Sequence, residues 1–143
     1  MGAASPNGST LTRTAATYAK TLTGCLRNAE AVARYAQSQG ETVTVIACDE
    51  RWGQGHDLRP ALEDLLGAGA IIASLSGAKS PEARAAVAAF HDAREDLAHL
   101  IKACSSGREL IERRFEADVD LAVQLARQPG YSHLNMSREW RCF

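Results

Sequence analysis

Seven residues, Thr42 to Cys48 (TVTVIAC), constrain the fold of this chain more than any others. Thr42 to Ile46 are all β-branched and the segment ends in an unbroken apolar run, which predicts a strand covered on both faces. A polar, glycine-containing loop follows, Asp49 to Asp57 (DERWGQGHD), and a helix is expected from about Arg59, with Pro60 in its first turn. Strand, loop and helix in that order predict a layered α/β fold with a parallel or mixed sheet. Lys20 to Cys25 and part of the tail after Tyr131 are further strand candidates, so the expected sheet is short of the usual number of strands.

The rest of the pattern is helical. Ala29, Val32, Ala33 and Ala36 repeat at helical spacing within Asn28 to Ser38, and Gly40 stands where a helix ends. Gly67, Ala68, Gly69 and Ala70 are small enough to let the helix after Pro60 approach a neighbouring backbone closely. Ser80-Pro81-Glu82 opens a helix to Ala93 with a serine cap and proline in the first helical position. Further helices are expected over Leu97 to Cys104, Arg108 to Arg114 (capped by Ser105 or Ser106) and Ala117 to Arg127. The 143 residues carry no repeat or linker and fit one domain, residues 1–143.

Composition excludes several functions. A net charge of −1 lacks the basic field that drives binding to nucleic acid. Leu65 to Leu75 is about half the apolar length that a membrane span needs, roughly 20 residues. No secretion signal is visible at the N-terminus, so a cytoplasmic location is expected. Cys25, Cys48, Cys104 and Cys142 lack zinc-ligand spacing and are expected to be free thiols.

Three stretches carry possible chemistry. SPNGST (Ser5 to Thr10) reads as a turn whose backbone N–H groups, with the Ser9 and Thr10 hydroxyls, suit an anion, or else as an ordinary capped turn. CDERW (Cys48 to Trp52) follows the best strand, where ligands of open α/β sheets sit. There Asp49 and Glu50 suit a hard cation and Arg51 a phosphate or carboxylate, unless the loop is merely solvated. Glu63-Asp64 is flanked so closely by apolar residues that one carboxylate is expected to point inward, where it would want a metal or an arginine. His91, His99 and His133 read as surface or packing residues, and no established nucleophile, phosphate-loop or zinc motif is present.

Taken in order, SPNGST, LRNAEAVA (Leu26 to Ala33), the ERW loop, LRPALEDLLGAGAII (Leu58 to Ile72), SGREL (Ser106 to Leu110) and DVDLA (Asp118 to Ala122) resemble the C-terminal part of the 2-phosphosulfolactate phosphatase family. The resemblance implies a three-layer α/β/α fold with a mixed sheet, here incomplete on its N-terminal side. It implies a magnesium-dependent hydrolase that converts 2-phosphosulfolactate to sulfolactate and phosphate, in some organisms a step toward coenzyme M. On that basis Glu50, Arg51 and Asp64 would be catalytic. Asn7, Gly8, Ser9, Thr10 and Asn28 would bind the substrate, and Glu50, Glu63 and Asp64 would hold Mg²⁺. The chain departs from the pattern at Cys48-Asp49, where a small residue is usual before the ERW stretch, and so gains a carboxylate. A small anionic phosphorylated substrate and self-association into a homo-oligomer are the expected partners, with no nucleic acid and no membrane. The other readings are an inactive binding or assembly domain of the same fold, or a phosphatase for another phosphorylated organic acid.

Overall fold

The computed structural model describes residues 6–52, 57–125 and 132–133. In chain order it contains α1 (Pro6–Ala15), β1 (Leu22–Thr23), a 3-10 turn (Leu26–Asn28), α2 (Ala29–Gln39), β2 (Glu50–Arg51) and β3 (Leu58–Arg59). These are followed by α3 (Leu62–Ala73), α4 (Pro81–Ala93), α5 (Leu97–Ala103), α6 (Ser105–Glu112), α7 (Glu116–Ala122) and β4 (Ser132–His133). Helices dominate a mixed α/β architecture. None among the described residues is long and apolar enough to cross a membrane.

Helix α3 is the centre. LEDLLGAGAIIA is apolar nearly all round, and a helix of that kind must be covered on several sides. Leu66 to Ile72 are all buried. Helices α2 and α4 pack against α3, and Leu66, Ala70 and Ile71 join Leu26, Val32, Ala33, Phe90, Leu97, Ile101 and Val119 in one core. The small-residue stretch does what its composition predicts. A Cβ at Gly69 would lie 2.8 Å from Phe90 Cβ and closer still to the Ala86 carbonyl oxygen, so α4 rests directly on the α3 backbone.

Local signals set the helix ends. Ser80 caps α4 by accepting the Ala83 N–H (3.2 Å), with Pro81 as the first helical residue. Helix α6 starts earlier than expected, at Ser105, because Cys104 serves as its cap and its sulfur accepts the Gly107 N–H (3.4 Å). Helix α7 ends at Ala122, short of the expected Arg127, and residues beyond 125 up to the tail pair lie outside the described set. Lys102 of α5 reaches Asp120 (2.6 Å) and Glu116 (3.6 Å) of α7, surface pairs that solvent screens and that add little to stability.

Sheet structure is where expectation and structure part. There are two antiparallel two-strand ladders among the described residues. Leu22 pairs with His133 and Thr23 with Ser132, which realises both the Lys20–Cys25 and the tail strand candidates in shortened form. Glu50 pairs with Arg59 and Arg51 with Leu58, so β2 and β3 form a small antiparallel hairpin. Residues 42–48 belong to neither ladder, and the expected parallel or mixed pairing is absent among the described residues. Their burial still alternates as in a strand. Val43, Val45 and Ala47 are partly covered, Val45 against the core, while Thr44 is exposed and Ile46 is 57% exposed. One face is covered rather than two. Side-chain pattern marks a segment that fits a pleated surface, but a ladder also needs a neighbouring backbone, and none of the described segments runs alongside to pair with it. Arg59 is likewise a strand residue rather than the start of a helix, and α3 begins three residues later.

Candidate active site

The site forms where the β2–β3 hairpin meets the N-termini of α3 and α6. Asp49 leads into the hairpin with φ 53°, in the left-handed region that aspartate tolerates better than most residues. This turn aims its side chain at α3. Asp49 Oδ1 accepts the Ala61 N–H (3.2 Å), and since Ala61 has no capping side chain of its own, the hairpin supplies the cap. Asp49→Asn keeps an acceptor oxygen and tolerates the same backbone, so urea denaturation should find it within about 0.5 kcal/mol of the parent or more stable. Asp49→Ala should lose about 1–2 kcal/mol, from the cap and from the left-handed backbone together.

Glu63 and Asp64 stand in the first turn of α3, where the helix dipole favours negative charge. Both are half-buried, in line with the expectation that this pair turns partly inward. Asp64 is pushed up from 3.8 to about 6, chiefly by burial and then by the carboxylates of Glu63, Asp49 and Glu50, while a hydrogen bond from the Asp49 backbone works the other way. Three carboxylates therefore act on Asp64, and together with burial they disfavour its ionised form. No arginine is among the groups that set its charge.

Glu63 faces α6. Its Oε2 lies 3.7 Å from Cys104 Sγ, whose S–H is also within reach of the Ile101 carbonyl (3.1 Å). Burial raises the Cys104 thiol above its ordinary range and the Glu63 carboxylate adds to this, so it is a hydrogen-bonding neighbour and not a thiolate nucleophile. Cys25 and Cys104 are free thiols and half-buried, as expected, Cys48 is half-buried, and Cys142 lies outside the described residues.

Arg59 has the most constrained side chain here. It is 4% exposed, its Nη1 and Nη2 each sit 2.9 Å from a Glu109 oxygen, and Nη2 is 3.5 Å from Ser106 Oγ. Its guanidinium lies 5.3 Å from the centre of the Trp52 ring. Arg59 lies within LRPALEDLLGAGAII, but neither it nor Cys104 is among the expected site residues. Glu109 lies within SGREL, but only the tertiary structure joins it to Arg59.

The other expected site residues are placed as follows. Glu50 lies in β2 opposite Arg59, and Arg51 follows it, exposed at the hairpin surface. The SPNGST stretch is not a loop. Helix α1 begins at Pro6, because proline in the first helical position forfeits nothing, and Asn7, Gly8, Ser9 and Thr10 form its first turns. Gly8 is buried, Ser9 and Thr10 are exposed, and Thr12 Oγ1 donates to the Gly8 carbonyl (2.6 Å). Buried Asn28 accepts the Cys25 N–H at its Oδ1 (2.7 Å) and so closes the 3-10 turn before α2, a turn that packs on α3 near Gly67. His91 and His99 are exposed helix residues, as expected, while His56 and the His133 side chain lie outside the described residues.

Among the described residues no three His, Cys, Asp or Glu side chains stand together closely enough to hold a metal ion. Mg²⁺ asks for less. It keeps several waters and takes one or two carboxylates with the substrate phosphate. One or two of the carboxylates near Asp64 would meet that requirement.

The stretch that similarity to known proteins covers includes this corner. The profile that describes 2-phosphosulpholactate phosphatase matches residues 3–129, a range that takes in α1, the hairpin and every helix through α7. The chain belongs to the 2-phosphosulpholactate phosphatase family. A probable 2-phosphosulfolactate phosphatase of Gloeobacter violaceus (strain ATCC 29082 / PCC 7421) is 40% identical over 92 residues, which are 64% of this chain and 36% of that protein. The match thus spans about a third of the length of that curated relative. No solved structure matches the chain.

Proposed function

We propose that this chain carries part of a phosphatase site for a small phosphorylated organic acid, 2-phosphosulfolactate being the substrate that its family membership favours. The observation that carries the reading is the carboxylate corner of Asp49, Glu50, Glu63 and Asp64 inside the stretch that matches the family. The finer architecture that accompanies it is the three-layer α/β/α fold, in which residues 42–48 would act as a sheet strand.

Hydrolysis joins a water oxygen to phosphorus, breaks the bond from phosphorus to the ester oxygen, and leaves that oxygen to take up a proton. Asp64, with a pKa of about 6, can hold or release a proton at the reacting water or the leaving oxygen near neutral pH. Arg51 would engage an anionic group of the substrate, and the N-terminal turn of α1, Asn7 to Thr10, would face its phosphoryl oxygens with the positive end of the helix dipole. Glu50, Glu63 and Asp64 are the residues from which one or two would hold Mg²⁺. When bound, that ion would neutralise charge on the phosphoryl oxygens.

The test is phosphate release from 2-phosphosulfolactate, with and without Mg²⁺. Activity should depend on added Mg²⁺ and vanish in excess EDTA, and full activity in EDTA would remove the metal from the reading. Arg51→Lys should raise KM by about tenfold with a smaller change in kcat, because an ammonium cannot reproduce the guanidinium fork. A folded chain that releases no phosphate from any phosphorylated hydroxy acid would instead support an inactive binding domain.

A further inference from the structure

We propose that Arg59 is an anion-binding residue of this site, with Glu109 holding its guanidinium fork in the ligand-free protein and yielding it to an anionic oxygen group of the substrate. Three observations about Arg59 carry this. Its side chain is almost fully buried, yet its Nε–H has no hydrogen-bond partner among the described residues. A buried donor left unmade is costly, so an orphan on a guanidinium marks a position that some other group fills. Its one ion-pair partner is asymmetrically placed: the Glu109 side chain is 51% exposed while that of Arg59 is 5% exposed. Glu109 can rotate into water at little cost, whereas Arg59 must keep a counter-charge. Finally, the two bonds to Glu109 have the parallel fork geometry that also suits a phosphoryl, carboxylate or sulfonate group.

The surroundings give this arrangement a use. An anionic substrate that approaches Asp49, Glu50, Glu63 and Asp64 meets repulsion, and Arg59 sits opposite Glu50 in the hairpin. Ser106 Oγ and the exposed Trp52 ring flank the guanidinium and would border the same anion. A doubly charged phosphate group competes well against a single carboxylate for this fork. A purely structural ion pair between β3 and α6 leaves the Nε–H an orphan, whereas an anion that displaces the Glu109 oxygen from Nη2 can accept from Nη2 and Nε together, side-on, and so fills that donor. The proposal rests on the phosphatase reading for the nature of the substrate, but its test does not.

Inorganic phosphate is the probe, titrated calorimetrically into the full chain at pH 7.5. Glu109→Gln removes the competing charge and should tighten phosphate binding by about tenfold, while Arg59→Lys should weaken it by at least as much. In the folded Glu109→Gln protein, unchanged or weaker phosphate binding overturns the proposal whether or not Arg59→Lys folds. The Arg59 Nε–H resonance of ¹⁵N-labelled protein should move on phosphate addition, and a resonance that stays fixed at saturation also overturns it. The two readings fail separately. Phosphate binding that responds to Glu109→Gln without any ester hydrolysis sinks the phosphatase, and hydrolysis with no such response sinks the Arg59 site.

Discussion

Asp64→Asn is expected to make the protein more stable at pH 7.5 and, if it is the phosphatase proposed, far less active. The folded-state pKa of Asp64, about 6, lies above its ordinary 3.8. The folded chain therefore binds this proton more tightly than the unfolded chain does. Its contribution to stability is fully present below about pH 4 and is lost as pH rises through about 6. At pH 7.5 the ionised carboxylate burdens the fold. The interval between the two values corresponds to roughly 3 kcal/mol at most, and solvent screening of a partly exposed group brings the expected gain to about 1–2 kcal/mol. Urea denaturation of parent and variant at pH 4 and pH 7.5 should show the gain at the higher pH only. A gain of equal size at both would mean that packing, not charge, distinguishes the two side chains. Phosphate release should meanwhile fall on the order of a hundredfold or more, the scale of a lost proton-transfer group. Opposite signs for stability and activity are the mark of a carboxylate kept for chemistry.

One substitution made twice, two residues apart, should have opposite effects. Gly69→Ala places a Cβ against the Ala86 carbonyl oxygen and 2.8 Å from Phe90 Cβ, and a backbone oxygen inside α4 cannot give way without moving that helix. The expected loss is about 2–3 kcal/mol, or roughly 10 °C in Tm for a domain of this size. Gly67→Ala meets only Leu26 N, at 3.9 Å, an ordinary contact. There the helix preference for alanine over glycine should dominate and add about 0.5–1 kcal/mol. Thermal unfolding of both proteins decides the matter. Equal losses would show that α3 tolerates no added volume anywhere, and equal gains would show that α4 rests less tightly on Gly69 than the structure places it.

The sequence by itself determined the elements whose hydrogen bonds close within a few residues. The Ser80-Pro81 start of α4, the apolar stripe of α2 and the small residues of α3 could be read directly, because a helix pairs each N–H with a carbonyl four residues away and shows its buried face as a period. Six short motifs in order were enough to point to the family. Tertiary structure alone decided whatever depends on groups distant in the chain. Residues 42–48 have the composition of a strand but form no ladder among the described residues, since pairing depends on which backbone lies alongside and not on the segment itself. Arg59 meets Glu109 across 50 positions, and Glu63 meets Cys104 across 41. Asp64 owes its raised pKa first to burial, which the arrangement of α3 against the hairpin creates, and then to Asp49 and Glu50, which the left-handed turn at Asp49 brings in from the other side. Residue types announced a carboxylate site. Which carboxylate would hold the proton, and which arginine would lie buried against Glu109, follows from desolvation and proximity, quantities that exist only once the chain has folded.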